Sequence, residues 1–162
     1  MYKIGIDPGW SNLGLAVLDE QNKKVFSINM TPSDHSTIPG AIDAVEEILA
    51  PYWDGVDSAA IEKYVVYGRG VPSKAMINTT MMVGALQYMF HRHHVDAQLY
   101  KAIDWKKSVC KDLFKTVGFR NPSDSFDKKF SLAAAECICG EKFETDHEAD
   151  AAGLAYQSAI GK

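Results

Sequence analysis

Apolar residues alternate with polar ones, or run together, over residues 3 to 7, 13 to 19 and 24 to 30. Gly9, Asn12, Gly14 and the polar run Asp19-Glu20-Gln21-Asn22 punctuate these segments. Short apolar segments joined by such turn residues predict a three-strand antiparallel meander. The period then changes. Ile42, Val45, Ile48 and Leu49 recur at helical spacing, Pro39 suits a first turn, and Ser36 or Thr37 supplies a cap. A helix is therefore predicted from about Pro39 to Ala50, with Pro51 ending it.

The apolar run at 59 to 62 predicts a fourth strand, and the following segment, Tyr64 to Pro72 with Gly68, Arg69 and Gly70, is too polar and flexible for a core element. Ser73 caps a predicted helix to about Phe90, and a fifth strand covers 96 to 100. Asp104 is placed to cap a helix through Thr116, with Gly118 just past its end. Asp124, with Asp127 three residues on, opens another that Gly140 closes. The last helix begins Thr145-Asp146-His147-Glu148, a capping-box spacing in which Glu148 folds back on the Thr145 amide. Three strands, helix, strand, helix, strand and then helices define an α/β chain, a mixed five-strand sheet covered by helices.

With 162 residues, 46% of them hydrophobic and 23% charged, the chain fits a single globular domain over residues 1–162. Met1-Tyr2-Lys3 leads straight into a strand pattern rather than a secretory signal, and nothing approaches the apolar length of a membrane span. Cys110, Cys137 and Cys139 are odd in number and form no Cys-x-x-Cys pair, which argues against a disulfide framework and a structural zinc site. A reducing, cytoplasmic setting is expected. The net charge of -4 is unusual for a protein that grips phosphates, but its distribution is uneven. From Lys101 to Lys129 eight bases stand against four acids, so this segment is locally positive.

Asp7 and Glu62 each end an apolar run, Ile4-Gly5-Ile6 and Ala59-Ala60-Ile61, and so read as acids at the ends of buried strands. His147 and Asp150 lie three apart at the start of a small-residue helix and share a face, roughly 60° apart. Asp146 lies roughly 40° from Asp150 and competes for the same role, against a plain function as a first-turn acid. Ala149, Ala151, Ala152, Gly153 and Ala155 let that helix lie close to the sheet. Three carboxylates and one imidazole suit divalent metals, and two ions about 3.5 to 4 Å apart supply both an activated water and charge relief for phosphodiester hydrolysis. Magnesium (Mg2+) fits the carboxylates; the histidine shifts preference toward manganese (Mn2+).

Gly5-Ile6-Asp7-Pro8-Gly9 with Gly14, then Ile61-Glu62, then His147-x-x-Asp150-Ala151-Ala152, in that order and over residues 3 to about 160, resemble the RuvC-type Holliday-junction resolvases of the ribonuclease H-like fold, including small phage-encoded members. That resemblance implies that Asp7, Glu62, His147 and Asp150 are both catalytic and metal-binding, the third ligand being Asp or His in the family. It also implies a homodimer, acting in the host-cell cytoplasm if phage-encoded, that nicks two strands of a four-way junction symmetrically and leaves 5′-phosphate and 3′-hydroxyl ends. Lys106 falls where the family has a basic residue near the cut strand, and Lys129 matches a second. Lys107 and Arg69 complete the candidate DNA contacts. Val65 takes the place of the family's junction wedge, a phenylalanine, so Tyr67 becomes the candidate for stacking on an exposed base, and forks, flaps and three-way branches enter the range of substrates.

The helix around Met76, Met81, Met82 and Met89 carries more apolar surface than one inner stripe needs, and the family's dimer helix falls here. His91, His93 and His94 suit a helix C-terminus better than a metal site. Two other readings compete with a nuclease: an ATP-binding protein of the actin and sugar-kinase type, whose glycine-rich hairpin also carries an aspartate, and a noncatalytic junction-binding dimer whose acids hold a structural ion.

Overall fold

The computed structural model describes residues 1–65 and 71–161. Five strands form one sheet: β1 (Tyr2–Asp7), β2 (Leu13–Asp19), β3 (Lys24–Met30), β4 (Val56–Glu62) and β5 (Ala97–Tyr100), in the order β3-β2-β1-β4-β5. The first three pair antiparallel, while β4 runs parallel to β1 and β5 parallel to β4. Parallel neighbours need crossovers. Helix α1 (Ile38–Leu49) lies between β3 and β4, and α2 (Lys74–Arg92) between β4 and β5; α3 (Ala102–Val117), α4 (Lys128–Cys139) and α5 (Asp146–Ile160) follow.

Strand alternation sorts the side chains into two unequal layers. Ile4, Ile6, Leu13, Leu15, Val17 and Ile61 point to one face and pack with Val45, Leu49, Met82, Leu86 and Phe90 of α1 and α2. The other face is built of small residues: Gly5 and Gly14, Ala16 and Ala60. There α5 lies directly on the strands. A Cβ on Gly5 would stand 1.9 Å from the Ala151 carbonyl oxygen, and one on Gly14 1.9 Å from that of His147. No residue with a side chain fits either place.

Local signals account for most helix ends. Thr37 caps α1, Ser73 caps α2, and Thr145 and Glu148 form the reciprocal capping box of α5. Glu148 is also held by the Ser27 hydroxyl at 2.9 Å. Gly118 and Gly140 end α3 and α4 in the left-handed conformation. Two predicted starts are corrected. Lys101, not Asp104, is the N-cap residue of α3, leaving Asp104 in the first turn. Helix α4 starts after Asp127 rather than at Asp124, because the Asp127 carboxylate accepts from the Lys129 and Phe130 amides. Strand β4 also begins earlier than the apolar run, at Val56. Among the described residues no helix is long and apolar enough to cross a membrane.

Candidate metal and nucleic-acid site

Sheet register builds the first half of the site. Gly5 pairs with Ala60 and Ile6 with Ile61 across the parallel strands, so Asp7 and Glu62 stand at the next step, at the C-terminal ends of neighbouring strands. Two residues beyond Gly5 and Ala60, both carboxylates lie on the sheet face that α5 covers. The open ends of strands are where α/β sheets concentrate their chemistry.

Helix α5 supplies the other half. His147 Nδ1 lies 2.7 Å from Asp7 Oδ2. An ionised carboxylate only accepts, so Nδ1–H donates, and in the neutral ring this tautomer leaves the Nε2 lone pair free. One turn further, Asp150 Oδ2 accepts from Lys106 Nζ at 2.9 Å, while Asp150 Oδ1 is buried without a partner. Trp105 Nε1 donates to Glu62 Oε2 at 3.0 Å.

The acids repel one another in a partly dry site. Burial, then the charge of Asp7, push the Glu62 carboxyl up to about 7 against the pull of the Trp105 hydrogen bond. Burial also raises the Asp150 carboxyl, with Lys106 opposing and Asp7 adding to the shift. The hydrogen bond to Asp7 raises the His147 imidazole. Such a cluster is short of positive charge.

The donor set suits a divalent cation: hard carboxylate oxygens, an imidazole with a free Nε2, and an orphaned buried oxygen on Asp150. As placed, no three His, Cys, Asp or Glu side chains among the described residues form a ready ion-holding group. Asp7 is turned onto His147 and Asp150 onto Lys106, each through its Oδ2 alone.

Lys106, expected on sequence grounds to face DNA, is only 8% exposed, and its ammonium also donates to Ser131 Oγ at 3.1 Å. Its place is inside the acid cluster. Lys107 and Lys129 are exposed, while Tyr67 and Arg69 lie outside the described residues. Asp146 accepts from Lys128 at 2.8 Å, which leaves it a first-turn acid with a partner of its own. His93 stacks on Trp53, with ring centroids 3.9 Å apart, and lies 2.6 Å from Glu46, so it serves packing at the α1–α2 seam.

Sequence reasoning missed two participants. Trp105 is 1% exposed, lies against Gly153 of α5 and orients Glu62, and Ser131 reaches Lys106 from α4. An indole and a hydroxyl carry no motif that marks either one. Beside Glu62, a cleft of about 280 Å³ is lined by Lys63, Tyr64, Val65, Lys101 and Ile103.

A mixed five-strand sheet in this order, with helices on both faces, is the ribonuclease H-like fold. The chain superposes on Thermus thermophilus RuvC in complex with a Holliday junction substrate with a TM-score of 0.70 and 18% identity, over 99% of this chain and 94% of that one. A second structure of Thermus thermophilus RuvC gives 0.68, with the same identity and coverage. No family model and no curated protein matches the chain by sequence.

Proposed function

We propose that this protein is a metal-dependent endonuclease of the RuvC type that resolves four-way DNA junctions by paired nicks. The observation that carries the reading is the convergence of Asp7, Glu62, His147 and Asp150 from β1, β4 and α5 at one end of the sheet, coupled closely enough that Asp7 raises both Glu62 and Asp150. The fold likeness to a RuvC structure that holds a Holliday junction supports the substrate class.

In this reading Asp7, Glu62, Asp150 and the free Nε2 of His147 hold two Mg2+ or Mn2+ ions, which supply an activated water and neutralise charge at the phosphate. The protein's own groups set the geometry. Trp105 fixes one oxygen of Glu62, and Lys106 holds Asp150 while keeping a positive charge beside the position of the reacting phosphate. The cut leaves a 5′-phosphate and a 3′-hydroxyl. Lys107 and Lys129, exposed beyond the acids, hold the DNA backbone, and three-way branches and forks are cut as well as four-way junctions.

The protein works as a homodimer through α2. Ile77, Met81 and Tyr88 are 46%, 57% and 65% exposed, and a Cβ added at Gly84 would meet nothing within 4 Å. These positions form one outward stripe suited to a twofold contact between copies.

The test is nick mapping on labelled four-way, three-way and linear DNA in magnesium and in manganese. We expect symmetric nicks at the junction, lost in Asp7→Asn and Glu62→Gln with junction binding retained. Binding without nicking in either metal would leave a noncatalytic junction-binding protein.

A further inference from the structure

Helix α3 presents an outward stripe that the catalytic cluster does not use. Ile103, Lys107, Cys110, Phe114 and Val117 recur at spacings of three and four, so they line one side of the helix over roughly 21 Å. Ile103, Phe114 and Val117 are 44%, 58% and 64% exposed, which is unusual for three large apolar side chains on one helix face. At its start the stripe borders the cleft beside Glu62, through Ile103. Near its end it enters a groove of about 490 Å³ lined by Lys107, Lys111, Phe114, Phe119, Arg120 and Phe126.

The floor of that groove is aromatic and fixed. Phe119 and Phe126 both stand edge-on to the buried Phe130, with centroids 6.2 and 4.9 Å away, so neither ring is free to collapse into the gap. The rim is cationic. None of Lys107, Lys111 and Arg120 takes part in an ion pair among the described residues. Two acids of this segment are engaged elsewhere: Asp112 accepts from Tyr156 at 2.6 Å, and Asp127 caps α4 and accepts from Ser123 and Ser125. In a chain of net charge -4, three unpaired cations around an exposed ring are complementary to an anion with a flat apolar face.

From this we infer that the groove on α3 is a stacking site for an unpaired nucleobase, and that a single strand leaving the cut site runs along the stripe with its phosphates on Lys107, Lys111 and Arg120. Aromatic platforms inside a cationic groove are how proteins hold single strands. The Asn121 amide, which also lines the groove, is held by Ser125 and Ser123 of its own loop and is not turned toward a base edge. The inference rests on the nuclease reading for the direction of the strand. It extends that reading to substrates with an unpaired segment beside the nick, such as forks and flaps.

The experiment is fluorescence anisotropy of the full-length protein with a short labelled oligothymidylate, with EDTA present to prevent cleavage. A matched abasic strand and an acidic peptide ending in phenylalanine serve as the alternative ligands. Stacking on one ring corresponds to roughly 5- to 150-fold in affinity. We expect Phe114→Ala and the abasic strand each to weaken binding at least about fivefold, and Lys111→Glu to weaken it and flatten its salt dependence. Both replaced residues are exposed, and circular dichroism checks that both variants are folded. Equal binding of the abasic strand, or an unaffected Phe114→Ala, would overturn the assignment. So would binding of the peptide but not the oligonucleotide, or a change in sedimentation of Phe114→Ala that marks the groove as a contact between copies. Junction nicking by the wild-type protein reports separately on the nuclease: nicking without oligonucleotide binding removes this site alone, and binding without nicking removes only the nuclease.

Discussion

The carbonyl oxygen of His147 lies 1.9 Å from the place a Cβ on Gly14 would occupy, so the helix that carries two candidate ligands rests on bare backbone. The same contact sets the distance between that helix and β2, whose Gly14 pairs with Asp7 of β1, and with it the 2.7 Å hydrogen bond from His147 to Asp7. Gly14→Ala must push backbone, which cannot rotate aside. We expect a cost of about 1 to 3 kcal/mol, at the scale of core overpacking, and a loss of nicking larger than the loss of folded protein explains. Thermal unfolding and the imidazole NMR signals of His147 are the measurements; unchanged midpoints and signals would show that α5 can back away.

Lys106 and Asp150 form a largely buried ion pair, with side chains 10% and 17% exposed. Removing one member leaves the other charged and poorly solvated. Lys106→Met is therefore expected to destabilise the chain by about 3 kcal/mol, within the range for broken buried pairs, and pairing it with Asp150→Asn is expected to recover most of that loss without restoring nicking. Urea unfolding of the four members of the cycle measures the coupling. Additive effects would mean that the pair contributes little.

Without metal, stability is expected to fall as pH rises through neutrality. The folded chain holds protons that the unfolded chain has released: Glu62 is pushed up to about 7 by burial and then by Asp7, and His147 is raised by its bond to Asp7, while Asp150, raised by burial against the pull of Lys106, adds to the slope at the acid end. For the two carboxyls the loss begins above the ordinary carboxylate range and for Glu62 is complete above about 7. The His147 contribution is whole below the unfolded imidazole value and vanishes as pH passes its raised folded one. Thermal midpoints in EDTA from about pH 5 to about pH 8.5 test the sign, and Glu62→Gln should flatten the slope. A midpoint that climbs over this range would contradict the crowding of the acids.

On the proposed metal-dependent reading, bound divalent cations would relieve the same repulsion. Magnesium and manganese are expected to raise the midpoint by a few degrees, which for a chain of this length corresponds to roughly 1 to 2 kcal/mol. Asp7→Asn is expected to abolish the effect. In His147→Asp the ratio of nicking in manganese to nicking in magnesium is expected to fall, because a hard oxygen replaces the imidazole; equal responses of both metals would remove His147 from the ligand set.

The outward stripe of α2 makes a separate prediction. Met81→Glu combined with Tyr88→Glu places two charges on exposed positions and is expected to yield a folded monomer with much reduced paired nicking. Sedimentation velocity across a concentration series reads the state directly. A dimer that survives both charges would locate the contact elsewhere.

The α/β class, five strands, the order of the helices and the chemical types at Asp7, Glu62, His147 and Asp150 were legible in the chain, because strand ends, helix caps and the spacing of His147 and Asp150 follow from neighbours a few residues away. The small residues of α5 announced a close approach, but the sheet half of that contact, Gly5 and Gly14, was decided by pairing across strands. Register set Asp7 beside Glu62, and packing turned Lys106 inward onto Asp150 and brought Trp105 to Glu62 across 43 positions of chain. Local patterns fix what a residue is able to do. Which partner it meets depends on contacts between distant elements, whose energies no stretch of sequence contains on its own.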